Sequence, residues 1–153
     1  MKPVTIRQAR REDTDAVVAM ARALARHVGD DPTKSVAERF SRDCFEKPPW
    51  FECLVAECDG ALVGFITYSR AAEVHTAGRR LWIGDLYVAP EARRSQVASQ
   101  LMHGVVARAR ELECRTIYWE LWHGNLVGSA FFEKLHADVV DDVEILRFDV
   151  DRA

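Results

Sequence analysis

Polar and apolar positions alternate along residues 4–9, VTIRQA, with the period of a strand. After Asp13 the period changes. Val17, Ala21, Leu24 and Val28 recur at helical spacing, and Asp13 is placed to cap the helix they predict. GDDP breaks that helix, and Thr33 or Ser35 opens a shorter second one ending near EKPP. Two strand-like runs then flank Asp59-Gly60, a dipeptide that favours a tight hairpin. RRLWIGDLYVA predicts a long strand ended by Pro90, and residues 95–112 predict a helix with Val97, Leu101, Val105 and Leu112 facing inward. RTIYWELW reads as a strand, with Ile117, Trp119 and Leu121 on one face and Tyr118, Glu120 and Trp122 on the other. NLVGSAFFEKL reads as a helix and VEILRFDV as a closing strand. The order βααβββαβαβ predicts an α/β (α+β) architecture, a mixed and mostly antiparallel central sheet flanked by helices. No linker, repeat or low-complexity tract interrupts residues 1–153, which read as one domain.

Composition narrows the function classes. The chain has 153 residues, 48% hydrophobic and 29% charged, and carries a net charge of −3. That length buries roughly 68–70% of the unfolded surface without staples. The absence of an overall basic balance argues against general nucleic-acid binding. No apolar run reaches the roughly 18 residues of a membrane span, and the first residues have no signal-peptide core, so the expected compartment is the cytoplasm. Cys44, Cys53, Cys58 and Cys114 form no CxxC pair and read as reduced, mostly buried thiols. His75, His103, His123 and His136 show no metal-ligand spacing and read as surface or capping residues.

Two stretches carry chemistry: LYVAPEARR leading into a helix, and N..GSAFFEKL near the end. In this order they resemble the GNAT N-acetyltransferase superfamily, over nearly the whole chain. Within it, FEKPPWFECLVAECDGALVGFITY, the DLYV strand and ELWHGNLVGSAFFEKLHA are most similar to the diamine (spermidine/spermine) N-acetyltransferase branch. The resemblance implies a GNAT-like sheet and acetyl-CoA as co-substrate, with no metal. It also implies transfer of the acetyl group to a primary amine of a small molecule, a diamine or a lysine-like amino acid. That branch commonly pairs its subunits, and Trp119, Trp122 and Phe131 are more aromatic surface than one small core easily hides, so a homodimer is expected.

Such chemistry has three requirements. The pyrophosphate needs backbone N–H groups at a helix N-terminus. The thioester carbonyl needs a donor for its developing charge. The amine, with a free pKa near ~10.4, must lose a proton, and the departing thiolate can gain one. The family's phosphate pattern R-x-x-G-x-G/A falls on Arg93, Arg94, Ser95, Gln96, Val97 and Ala98, followed by Ser99. Arg93 and Ala98 fit, but Gln96 stands where glycine is usual. As a first-turn residue Gln96 is expected to be helical, with its N–H free. A positive φ there would instead cost on the order of 1–2 kcal/mol and bring its side chain toward the phosphate. Without the resemblance, the arginines read as a solvated basic turn.

By resemblance, the backbone of Leu86, Tyr87 and Val88 holds the pantetheine arm. An acidic pair is usual ahead of that segment; here its first position is Gly84, and only Asp85 remains. Asp85 reads either as a cleft carboxylate serving the amine or as the partner of Arg79, Arg80 or a helix end. Gly84 reads as a bulge that splays the strands. On the last helix the pattern N-x-x-A-x-x-x-Y falls on Asn125, Gly128 and Phe132. Asn125 fits as N-cap and cofactor contact. Phe132 lacks the hydroxyl that usually serves the thiolate, leaving Ser129, one turn back, or water. Carboxylates suited to a cationic amine are Asp85, Glu120, Asp141 and Asp142, with His27 and Tyr118 beside them, although DVVDDVE also reads as a solvated acidic surface. Because Gly84, Gln96 and Phe132 depart from the pattern, a second class stays open: a catalytically degenerate acyl-CoA-binding or interaction module.

Overall fold

A computed structural model describes residues 3–152. Its strands β1 (Thr5–Gln8), β2 (Glu52–Cys58), β3 (Ala61–Glu73), β4 (Gly78–Val88) and β5 (Thr116–Tyr118) lie side by side in chain order. The first four pair antiparallel, and β5 joins β4 in parallel. Helices α1 (Thr14–Val28) and α2 (Ala37–Phe45) separate β1 from β2; α3 (Val97–Glu111) separates β4 from β5, and α4 (Leu126–Lys134) follows β5. A parallel neighbour cannot be reached by a tight turn, and α3 supplies the crossover. Asp59 and Gly60 form the predicted two-residue hairpin, with φ of 52° and 75°, the pair of positive values that a twist-matched turn requires.

Alternation along β2 sorts its side chains between two layers. Cys53 and Val55 join Val17 and Met20 of α1, with Phe65, Tyr87 and Ala89, in one buried cluster. Leu54 points the other way, toward α3. A Cβ on Gly104 would stand 2.7 Å from Leu54 Cδ1, so the missing side chain lets α3 lie close to the sheet. Leu101 and Val105 of α3 and Ile66 and Leu81 of the strands are fully buried on that side, each burial contributing about 1.5–3 kcal/mol.

The chain divides into a larger unit that ends at Glu120 and a smaller one that begins at Leu121. The smaller unit holds α4, whose N-cap Asn125 accepts a hydrogen bond from the Gly128 N–H at 2.9 Å. It also holds a short 3-10 turn, Val150–Arg152.

Four local expectations change. Asp13 does not cap α1: its carboxylate is taken by the Arg10 N–H at 2.7 Å and by the Arg7 guanidinium at 2.7 and 3.0 Å. Neither Thr33 nor Ser35 opens α2. Asp31 accepts from the Thr33 N–H at 2.9 Å in a 3-10 turn, and α2 starts only after Val36. The strand predicted from RTIYWELW is three residues long. The closing strand predicted from VEILRFDV is not formed, because its alternation finds no ladder partner among the described residues.

Candidate functional site

One extra residue in β4 builds the site. Ile66 pairs with Leu86 and Tyr68 with Ile83, so Thr67 alone opposes both Gly84 and Asp85. This is the bulge expected at Gly84. Two residues set against one turn to the same side of the sheet, and both line a cleft of about 250 Å³. Val17 of α1 and Phe40 of α2 form one wall, with Phe51, Phe65 and Thr67 beneath.

Asp85 is the carboxylate of this cleft. Arg79 is engaged by Glu113 at 3.0 Å and Arg80 by Glu73, and neither arginine pairs with Asp85. Its backbone N–H donates to Thr67 Oγ1 at 3.0 Å. The side chain opens to solvent at the cleft mouth, yet protein surrounds it closely. Desolvation raises its carboxyl above the ordinary carboxylate range, and the Thr67 hydroxyl pulls in the other direction. A carboxyl poised this way accepts a proton nearer neutrality than a solvated one.

The edge of β4 supplies backbone groups. Pairing with β5 ends at Trp82 and Tyr118, and beyond it no described strand covers that side of β4. Leu86, Tyr87 and Val88 follow along this edge. Tyr87 buries its ring in the core, which leaves its backbone as the group available there. The Val88 carbonyl accepts from Arg93 Nε at 3.1 Å.

After a 3-10 turn at Pro90–Ala92, the loop enters α3 with Arg93 and Arg94 exposed and Ser95 Oγ donating to the Ala92 carbonyl. Gln96 corrects the expectation: it is not helical but left-handed, with φ 63° and ψ 7°, and it is the N-cap residue of α3. Arg94 is left-handed too, at φ 64°. The Gln96 side chain is exposed. Its carbonyl accepts from the Gln100 N–H at 2.9 Å, so the amides of Val97, Ala98 and Ser99 lack helical partners. They form an anion-favouring helix end.

His27 is exposed on the last turn of α1. Tyr118 lies parallel to Trp82 at 6.5 Å between ring centroids, with the Arg80 guanidinium 4.5 Å over its ring; neither His27 nor Tyr118 lines the cleft. Glu120 is exposed after β5. Within the smaller unit Ser129, Asp141 and Asp142 are exposed. Phe132 is half-buried, its ring edge-on to Phe131 at 5.0 Å between centroids.

Sequence reading passed over Thr67. In GFITYSR it looks like an ordinary β-branched strand residue, and only the register reveals that it faces two residues at once. Phe40 and Phe51 were not singled out either; part of each packs against the core, and their cleft faces had no signal in the sequence.

Residues 19–137 match the model of the acetyltransferase (GNAT) family. A thialysine N-epsilon-acetyltransferase of Sus scrofa is 31% identical over 123 residues, covering 74% of this chain and 72% of that protein. The fold is similar to a possible acetyltransferase from Clostridium difficile 630, with TM-score 0.83 at 20% identity over 96% and 97% of the two chains. It is also similar to a predicted acetyltransferase from Clostridium acetobutylicum solved with acetyl-CoA, with TM-score 0.77 at 17% identity over 99% of each chain. A bulged carboxylate beside an open strand edge and a free helix end agrees with these matches, and the chain belongs to the GNAT family of acetyltransferases.

Proposed function

We propose that this acetyltransferase moves the acetyl group of acetyl-CoA to a primary amine of a small molecule, a diamine or a lysine-like amino acid, by direct attack. The observation that carries the reading is Asp85: a single raised carboxyl in a small cleft, on the strand whose outer edge opens just beyond Trp82. The solved relative with acetyl-CoA and the thialysine-acetylating relative support the two substrates.

The residues present fit the co-substrate. The amides of Val97, Ala98 and Ser99, with Ser95, Gln96 and the exposed Arg93 and Arg94, suit its pyrophosphate. The open backbone of Leu86, Tyr87 and Val88 suits the pantetheine arm, and the family pattern offers Asn125 as a further polar contact. Bound acetyl-CoA supplies an electrophilic thioester carbonyl and a thiolate leaving group. A primary amine enters protonated, with a free pKa near ~10.4. Asp85 holds the ammonium as a carboxylate and then accepts its proton, directly or through one water. Phe40, Phe51 and Phe65 give the cleft beside the carboxylate an apolar lining. Ser129 is the hydroxyl nearest in sequence to Phe132 and is the candidate proton donor to the thiolate. Glu120, Asp141, Asp142, His27 and Tyr118 remain candidates for the far end of the amine.

Acetyl-CoA should raise the melting temperature, and thiol release should appear with one or more members of a panel of primary amines. A thermal shift without thiol release from any amine would replace this reading with the acyl-CoA-binding module, which the departures at Gly84 and Phe132 keep open. We further propose a homodimer, on the half-exposed Trp122 and the aromatic run around it, to be checked by light scattering at micromolar concentration. A cytoplasmic location belongs to the same reading, on four cysteines that stand free. No described helix is long and apolar enough to cross a membrane.

A further inference from the structure

We infer that Thr67 is the positioning residue for Asp85, its one hydroxyl tying down the backbone and orienting the carboxyl of the cleft residue at the β-bulge. The inference rests on the reading of Asp85 as the group that takes the amine's proton.

A bulge leaves the extra residue without its regular ladder bond. At Gly84–Asp85 that gap is closed from the side: the Asp85 N–H donates to Thr67 Oγ1 at 3.0 Å instead of to a carbonyl of β3. A hydroxyl has two acceptor lone pairs and one donor. Having accepted from the amide, Thr67 keeps its proton for another oxygen, and it interacts with the Asp85 carboxyl in the sense that favours the charged form. The Asp85 backbone is thus tied to Thr67 Oγ1, and the carboxyl of the same residue lies within that hydroxyl's influence. Thr67 is itself buried, at 7% exposure, so water has little access to replace it. Desolvation by the cleft walls pushes the carboxyl toward its neutral form, and the hydroxyl opposes that push.

Position 84 fits the same device. The hydroxyl occupies the space in front of Gly84, 3.0 Å from where a Cβ would lie. A glycine at 84 therefore leaves the Thr67 hydroxyl undisturbed against Asp85.

The test compares Thr67→Val, nearly isosteric and without the hydroxyl, with Thr67→Ser, which keeps it. Two readouts are taken: the titration midpoint of the Asp85 carboxyl by carbon-13 NMR, and the pH profile of kcat/KM for thiol release. Thr67→Val should move the midpoint to higher pH, shift the acid limb of the profile with it and lower kcat/KM at neutral pH by about tenfold, the effect of losing one hydrogen bond to a charged group. Thr67→Ser should restore both. An Asp85 midpoint that stays in place in folded Thr67→Val overturns the inference and leaves Thr67 a structural residue only. The failure of the underlying reading looks different: Asp85→Asn then retains full thiol release, while the NMR midpoint still decides the part of Thr67 without any turnover.

Discussion

A Cβ on Gly84 would stand 3.0 Å from Oγ1 of Thr67, the atom that also accepts the Asp85 N–H. A side chain at 84 is accommodated only if the hydroxyl yields by a few tenths of an ångström. Restoring an acidic residue there with Gly84→Glu should consequently lower kcat/KM by about tenfold, since small displacements of a catalytic group are expensive. Thiol-release kinetics check this, and a faster Gly84→Glu enzyme would show that the second carboxylate outweighs the crowding.

Asp85→Asn should reduce kcat/KM by a factor on the order of 10²–10⁴, the usual worth of a general base. Stability should move the opposite way. The folded-state pKa of Asp85 is raised by desolvation, so the group disfavours the folded state once pH passes above the ordinary carboxylate value and through the raised one. At neutral pH the neutral amide removes that burden. The melting temperature of Asp85→Asn should match or exceed that of the parent, and a clear drop would mean that the carboxylate is structural.

Gln96→Gly should relieve the left-handed strain at φ 63°, stabilising the protein by about 1 kcal/mol. It should also tighten CoA binding if the side chain crowds the phosphate. Denaturant titration and calorimetry read the two effects separately; a gain in stability with an unchanged dissociation constant would mean that the exposed glutamine is harmless to the ligand.

Asp13→Asn should weaken the fold at neutral pH by about 2 kcal/mol, because the Arg7 guanidinium beside Asp13 holds its carboxyl below the usual carboxylate range. A depressed folded-state pKa contributes stability that is complete above the unfolded value and is lost as pH falls through the depressed one. The parent and Asp13→Asn stability curves should therefore converge only in that acid window. Parallel curves down to low pH would deny the pair its role.

Phe132→Tyr restores the hydroxyl usual at this place in the family pattern. A donor to a leaving thiolate is worth roughly 1.5–3 kcal/mol, so kcat should rise about tenfold if loss of the thiolate limits turnover. An unchanged kcat with normal folding would put the limiting step at deprotonation of the amine.

Local signals in the sequence determined what the local backbone could decide. Asp59-Gly60 forms its hairpin because two positive φ values are a property of those two residues, wherever the strands go. Val17, Leu101 and Val105 are buried because helical spacing put them on one face of their helices. Asn125 caps α4 through an oxygen three residues from its donor. Tertiary structure decided whatever needed a partner distant in sequence. Asp13 left its cap for the Arg10 N–H and for an Arg7 guanidinium that Glu57 of β2, far along the chain, also engages. Gln96 is left-handed at the N-cap of α3, a conformation that its own side chain does not favour and that the path of the chain between β4 and α3 imposes. VEILRFDV alternates like a strand, but a ladder needs a neighbour. The cleft carboxylate itself was legible as an odd charge in an apolar strand. That Thr67 ties its backbone was not: Gly84 marked the bulge, but the residue opposite it is set only by the pairing of β3 with β4.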